Sequence, residues 1–274
     1  TGCTPETDLK PLALGETSKW VSTGVPQLSS ARKGAGIRSV SDKTSNKIFL
    51  YSVSGLDDQA TPAGHEDYEL LVLDHDPATN PTLWEASASW TATSVPLDGT
   101  GGACGDLTGR WQAGLFLFNH ESSSKDGVTF AITNDEQYLY LGPGRNADGA
   151  DVGLFHSWLI TPDTGILDLA SANVQCKSSA PVAGYGNISA NRQIFTFGGD
   201  GSGNAISAVE WVRIAGTPPH IEILSNFNNN GGARMKQDRY LHTTVLDRAF
   251  IYLVGGVGVP VDGGVSSSVE VGIW

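Results

Sequence analysis

The sequence predicts an all-β protein built from repeated pairs of antiparallel strands. With 34 glycines and only 17% charged residues among 274, the composition suits short strands and tight turns better than helices. The stretch Arg239–Gly256 shows the unit most clearly. Apolar and polar residues alternate over 241–245, a polar turn follows, and 250–254 is a β-branched and aromatic run that ends in two glycines.

The second strand of this unit recurs along the chain. Segments that match it begin at residues 48, 138, 194 and 251, so the last two intervals are nearly equal and the first is longer. A third apolar strand follows each copy, and a fourth follows after a turn in every copy but the last. Paired strands that repeat every ~55 residues are typical of β-propellers.

We therefore expect a single domain over 1–274, a β-propeller of four-stranded antiparallel blades. Five blades fit the repeat, with six or four as alternatives. Because the last copy ends without a fourth strand, Lys19–Val21 is expected to complete that blade and to hide both sheet edges. The predicted division is 1–30 for the closing strand, 31–88 for blade 1, 89–129 for an irregular blade 2, 130–172 for blade 3, 183–225 for blade 4 and 236–274 for the last blade.

The best copy also carries a resemblance to a known family. Its first strand opens with Arg239 and a nearby His242, its second ends in Gly255-Gly256, and its third contains Val-Glu-Val over 269–271. With a Trp on the fourth strand, this pattern resembles kelch repeats. The resemblance implies a propeller around a central channel, a scaffold that hosts binding modules and enzymes alike. Galactose oxidase is a kelch enzyme, but no stretch here matches its copper-binding Tyr and His constellation.

The charge excludes one class of partner. With 17 Lys and Arg against 29 Asp and Glu, the formal net charge is −12, so the chain repels phosphate backbones and nucleic acid is not expected as a ligand. The acidity favours solubility, with binding of divalent cations as an alternative. No run of about 18 apolar residues is present, so no membrane span is predicted, and a monomer is expected.

Cysteine and glycosylation patterns favour a secreted or extracellular protein. Asn187 opens an Asn-Ile-Ser sequon. Of three cysteines, Cys104 and Cys176 fall in loops on the same predicted face and are expected to form a disulfide, which leaves Cys3 over. A bacterial lipoprotein that is lipidated at Cys3 is the alternative.

The long loops all fall on one face of the predicted propeller, where binding residues usually lie. Carboxylates beside an imidazole, an aromatic platform, a loop that resembles calcium sites and an arginine near the channel supply the candidates: Asp57, Asp58, His65, Trp111, His120, Arg145, Asp148 and Arg239. His65 and His120 are the candidate metal ligands, with calcium or copper as the alternatives for a cofactor. Arg32, Arg38 and Arg239 are expected either to hold an anionic ligand or to pair with carboxylates.

These residues favour a secreted propeller that binds a glycan or a protein through its loop-rich face. An enzyme with a pocket at the channel mouth, acting on a small organic or carbohydrate substrate, is the alternative. A metal-binding surface protein is a third hypothesis.

Overall fold

The computed structural model shows an antiparallel all-β protein. It describes residues 26–42, 45–57, 61–74, 85–86, 89–94, 109–120, 136–169, 176–178, 186–190, 193–201, 204–215, 220–225, 234–240, 242–247, 250–258 and 267–273. Among these residues there is no helix, and hence none that could cross a membrane. The predicted all-β class is confirmed.

The first half of the chain forms two sheets. Sheet 1 contains β1 (Gly36–Ser41), β2 (Lys47–Val53), β3 (Asp67–Asp74), β4 (Glu85–Ala86) and β5 (Thr91–Ser94). Sheet 2 contains β6 (Leu115–His120), β7 (Glu136–Leu141), β10 (Leu154–Ile160), β11 (Leu167–Leu169) and β12 (Cys176–Ser178), beside a small pair of β8 (Gly144–Arg145) and β9 (Asp151–Val152). In each sheet the third strand pairs with two short strands along its outer edge, so the fourth strand is split.

The second half forms two more sheets. Sheet 3 contains β13 (Gly186–Ala190), β14 (Gln193–Gly201), β15 (Asn204–Ala215) and β16 (His220–Ser225). Sheet 4 contains β18 (Thr243–Asp247), β19 (Phe250–Val254) and β21 (Val269–Ile273), beside a small pair of β17 (Arg239–Tyr240) and β20 (Val257–Gly258).

The predicted boundary near residue 129 does not separate two sheets. β6, which was expected in an irregular second blade, pairs along its whole length with β7, which was expected in the third. β5 likewise belongs to sheet 1, although the predicted boundary at 88/89 excludes it. The sequence pattern placed the apolar run Leu115–Phe118 in a separate second blade, because its partner β7 follows only after a long connection. The count of five blades stays a prediction.

The sheets follow one another in chain order. β1 lies beside β6, β6 beside β13 and β13 beside β18, and no comparable contact joins β18 to β1 among the described residues. Apolar cores fill the three spaces between consecutive sheets. Tyr51 and Trp158 lie in the first core, Tyr140 and Val212 in the second, and Phe197 and Leu253 in the third.

Sheet 4 differs from the others in its outer face. Here Val254 opposes Val269 and Phe250 opposes Ile273, which gives a contiguous apolar surface. Their exposed fractions run from 42% for Phe250 to 82% for Ile273. Within the described part of the chain, β21 also has no strand paired along its second edge.

Candidate functional site

The loops of sheets 1 and 2 are joined by main-chain hydrogen bonds into one surface. Gly55 N donates to Arg110 O at 2.8 Å, and Gln112 N donates to Gly34 O at 2.9 Å. Farther along, Trp111 N donates to Arg145 O at 2.9 Å. The segment before β6 thus pairs with the segments that link the second and third strands of both sheets and with the segment before β1. We call the side chains of this surface the rim site, which consists of Lys33, Asp57, His65, Trp111, Gln112 and Arg145.

Two glycines allow the loops to approach so closely. A Cβ atom on Gly64 would lie 2.7 Å from Gly109 O and 2.8 Å from its Cα. A Cβ on Gly109 would in turn overlap the main chain of Gly64. Side chains are therefore excluded at both positions, because both clashes are with main chain rather than with flexible side-chain ends.

Ser54 fixes the centre of this contact. It is fully buried, and its φ of 60° lies in the left-handed region that residues other than glycine rarely adopt. Its hydroxyl accepts a hydrogen bond from Arg110 N at 2.7 Å and lies 3.0 Å from the carbonyl oxygens of His65 and Arg110. One side chain therefore binds both loops.

Three buried arginines fasten the base of the loops in the same way. Each donates from Nη1 to two carbonyl oxygens, one just after the second strand and one at the start of the third. Arg32 binds the carbonyls of Ser54 and Asp67, Arg110 those of Gly142 and Leu154, and Arg239 those of Gly255 and Ser268. We call these the arginine clamps. They appear in sheets 1, 2 and 4.

A side chain on the third strand completes each clamp. Arg32 Nε lies 3.0 Å from Glu69 Oε1, and Arg239 Nη2 lies 2.5 Å from Glu270 Oε1. In sheet 2 the corresponding partner is an imidazole, with Arg110 Nη2 2.9 Å from His156 Nδ1. Burial lowers the pKa of Arg110 to about 10, so its guanidinium stays charged at neutral pH.

Glu69 stays ionised although it is buried. Burial by itself would raise its pKa, but hydrogen bonds from Ser29 N and from Arg32, together with the charge of Arg32, outweigh burial and leave the pKa below its usual value. Of the predicted alternatives for Arg32 and Arg239, pairing with carboxylates is what the structure contains. The ligand-binding role of Arg239 stays a prediction, and the contacts described for it are with its own chain.

A polar chain leads from the first clamp to the surface. Arg32 Nη1 lies 2.8 Å from Asp67 Oδ1, and the same oxygen lies 3.7 Å from His65 Nδ1. The His65 side chain is 18% exposed, but its Nε2 atom is buried and has no hydrogen-bond partner among the described residues. The arrangement orients an imidazole beside a carboxylate that is itself held by a cation.

Trp111 and Gln112 form the other half of the rim site. Lys33 Nζ lies 5.7 Å from the centre of the Trp111 ring, within cation–π range, and both Trp111 and Gln112 are half-buried. Gln112 has a φ of 63°, and its Oε1 is buried without a hydrogen-bond partner in the part of the chain described. An indole and an acceptor are thus held side by side.

Four predicted site residues lie on the loops that these main-chain hydrogen bonds join: Asp57, His65, Trp111 and Arg145. Asp57 accepts a hydrogen bond from Ala63 N at 2.9 Å, which shapes its loop. Asp148 lies apart, on an exposed turn that Asn146 closes.

The remaining predictions are not tested. Lys19–Val21, Asp58, Cys3 and Cys104 lie outside the described residues, so the closing strand, the Cys104–Cys176 disulfide and a lipid at Cys3 stay predictions. His120 ends β6, Cys176 begins β12 and Asn187 lies on β13. Among the described residues no three His, Cys, Asp or Glu are grouped so that they could hold a metal ion.

Sequence reasoning missed Arg110, Lys33 and Gln112. Arg110 precedes its first strand by about the same distance as Arg32 and Arg239 precede theirs, and this shared spacing was the available signal. Gln112 gave no signal, because its positive φ is set by the contact with Gly34 rather than by a turn motif.

No family model matches the sequence, and no curated protein is significantly similar to it. Among solved structures, the chain is similar to one described as "Structure of YjhT", with a TM-score of 0.42 and 11% sequence identity. That similarity covers 88% of this chain and 81% of the other.

Proposed function

We propose that this protein is a kelch-type β-propeller that binds a carbohydrate through the rim site, with a protein ligand as the alternative. The observation that carries the proposal is Trp111, a half-buried indole whose main-chain N and O both hydrogen-bond to Arg145, while the next residue, Gln112, bonds to Gly34. Aromatic platforms flanked by polar groups are what sugars require, because one sugar face is apolar and its edge carries hydroxyls.

The groups around Trp111 support a polar, neutral ligand. Lys33 offers ammonium donors next to the ring, and a sugar hydroxyl can accept a hydrogen bond from them. Left-handed main chain at Ser54 and Gln112 also supports a functional site, since such conformations persist where the surroundings impose them and cluster at ligand contacts.

The proposed fold supports this placement. Four sheets in chain order, with clamps at equivalent positions of three, are the elements from which propeller blades are built. We include in the proposal a last blade completed by the N-terminal segment within 1–30, and export to the cell exterior.

A glycan array followed by calorimetry with the best ligand tests the proposal. Trp111→Ala is expected to weaken binding at least tenfold, because the platform is lost. Trp211→Ala removes a 37% exposed indole in sheet 3 and is the matched control, expected to leave the affinity unchanged. Both variants are checked by thermal unfolding. Equal affinity of the two variants, or no glycan bound by the wild type, would contradict the proposal.

A hydrolase or isomerase acting on the same ligand is a second candidate, which the pairing of His65 with Asp67 favours. In that case the wild type converts the glycan found on the array and His65→Ala does not, although it still binds. An unchanged glycan after long incubation with the wild type would exclude this candidate.

A further inference from the structure

A groove between sheets 3 and 4 lies apart from the rim site. Its volume of about 360 Å³ is within the range of pockets that bind small molecules. We infer that this groove is a second binding site, for a small aromatic carboxylic acid whose ring lies between the two sheets and whose carboxylate faces Lys236. The inference goes beyond the proposed function, because none of the six rim-site residues lines the groove.

The walls of the groove suit a flat apolar group. The wall on sheet 3 contains Phe195 and Phe197, whose rings stack with 6.2 Å between their centroids and 19° between their planes. The wall on sheet 4 contains Ile251 and Leu253, which are both buried. Met235 packs with residues of both sheets and also lines the groove, and a thioether makes favourable contacts with aromatic rings. An aromatic guest is therefore favoured over an aliphatic one.

The space is sufficient for two fused rings. A cavity of about 150 Å³ holds one benzene molecule, and the groove has more than twice that volume. Gly272 leaves one side open, since a Cβ there would meet nothing closer than 4.0 Å, and both of those contacts are with Ile251. The nearby Gly198 is different, because a Cβ there would overlap the carbonyl oxygen of Arg239.

The charges along the groove favour an anion. Arg234 and Lys236 line it and are exposed, in a chain whose formal net charge is −12. Glu270 also lines it, but its oxygens are bound by Arg239 Nη2 and by the main-chain N atoms of Lys236 and Gln237. The Lys236 ammonium has no ion-pair partner within the part of the chain that the structure describes. It is therefore available to the carboxylate of a ligand.

Met235 gives a direct measurement of binding in the groove. It is the one methionine of the sequence, so protein labelled with carbon-13 at the methionine methyl gives one signal from this chain. Titration of the full-length protein with 2-naphthoate is expected to shift that signal until it saturates, because a ring bound beside the thioether changes its magnetic environment. Naphthalene-2-methanol, which has the same rings and no charge, is expected to bind about two to five times more weakly, as for loss of an exposed ion pair.

Three variants locate the ligand, with calorimetry as the measurement. Gly272→Leu is expected to fill the groove and to weaken 2-naphthoate binding at least about tenfold. Lys236→Gln is expected to lower the affinity for 2-naphthoate to that for the alcohol. Val269→Thr is the matched control on the same strand. Val269 is 55% exposed and does not line the groove, so its substitution is expected to leave the affinity unchanged. Thermal unfolding checks that each variant is folded.

Three results would overturn the inference. The first is a Met235 signal that does not move at millimolar 2-naphthoate, and the second is equal affinity for the acid and the alcohol. The third is weaker binding by Val269→Thr but not by Gly272→Leu, which would place the ligand on the exposed face of sheet 4. If Gly272→Leu does not fold, the Met235 signal and Lys236→Gln still decide. Trp111→Ala is expected to leave this titration unchanged, so failure here is distinguishable from failure of the proposed function.

Discussion

Sheets 1 and 4 have equivalent arginine clamps but differ in their surroundings. Sheet 1 packs against sheet 2, whereas the outer face of sheet 4 is exposed. Between sheets 1 and 2 an apolar core is closed and the loops above it are joined by the hydroxyl of Ser54. Sheet 4 has an equivalent arginine clamp, yet the residues of its outer face are up to 82% exposed. A clamp therefore organises the loops of a single sheet, while rigidity of the rim site depends on a neighbouring sheet.

The largest expected effect compares the two carboxylate clamps. Glu69→Ala should lower the free energy of unfolding by about 3–5 kcal/mol, because it leaves the buried Arg32 with only the partly exposed carboxylate of Asp67 and removes the acceptor of Ser29 N and Ser30 N. Glu270→Ala should cost about half as much, since the Glu270 side chain is 15% exposed and Arg239 also binds Gln237 and Ser268. Chemical denaturation of both variants measures the difference. Equal losses of unfolding free energy would mean that both clamps are shielded from water to the same extent, which would contradict the expected difference between sheets 1 and 4.

The close approach of loops in sheets 1 and 2 predicts a second large effect. Gly64→Ala should lower stability by about 3 kcal/mol, because its Cβ would clash with main-chain atoms of Gly109. Gly272→Ala, where the added atom meets only ordinary contacts, is the matched control and should stay within about 1 kcal/mol of the wild type. Thermal unfolding of the pair decides the matter, and a neutral Gly64→Ala would show that the rim loops are not rigid.

His242 makes the stability of sheet 4 depend on pH. Burial, and next the charge of Arg239, lower the pKa of His242 to about 4, against a smaller opposing influence of Glu270. Below pH ~6.5 His242 is protonated in the unfolded chain but stays neutral in the folded chain. The free energy of unfolding therefore falls as the pH decreases toward 4. Between pH 6.5 and 5 this amounts to about 1.5 kcal/mol. His242→Gln should remove that part of the slope, and an unchanged slope would contradict the assignment.

The smallest effect concerns Lys33 above Trp111. Lys33→Ala should cost about 0.5–1 kcal/mol of stability through the lost cation–π contact, and Lys33→Arg should retain most of it. Urea denaturation of the two variants is the measurement. If both behave like the wild type, Lys33 does not order the platform in the absence of ligand.

The sequence pattern was sufficient for the class and for most strands, because alternation and glycine pairs are local signals. β2, β10, β15 and β21 lie where the pattern placed them. β6 was assigned to the wrong unit, since pairing across a long connection leaves no trace in local periodicity. Arg32 and Arg239 were noticed for their position, but a choice between ligand and carboxylate needed the distance to Glu69 and Glu270.

The rim site was predicted in part for a similar reason. Long loops on one face indicated which segments of sheets 1 and 2 would lie side by side, and main-chain hydrogen bonds join the loops that carry Asp57, His65, Trp111 and Arg145, whose role in a site stays a prediction. Topology alone supplies that information. The left-handed conformations of Ser54 and Gln112 arise from contacts with main chain that is distant in the sequence. The residues next to them therefore do not predict these conformations.

The arginine clamps also bear on how such a protein changes over evolutionary time. Their Nη1 atoms bind main-chain carbonyl oxygens at the two ends of each loop, and every residue type has such an oxygen. Substitutions, insertions and deletions between these two ends are therefore expected to leave the arginine hydrogen bonds intact. A lineage that keeps the three arginines and their partners can therefore vary the loops between them without losing the scaffold.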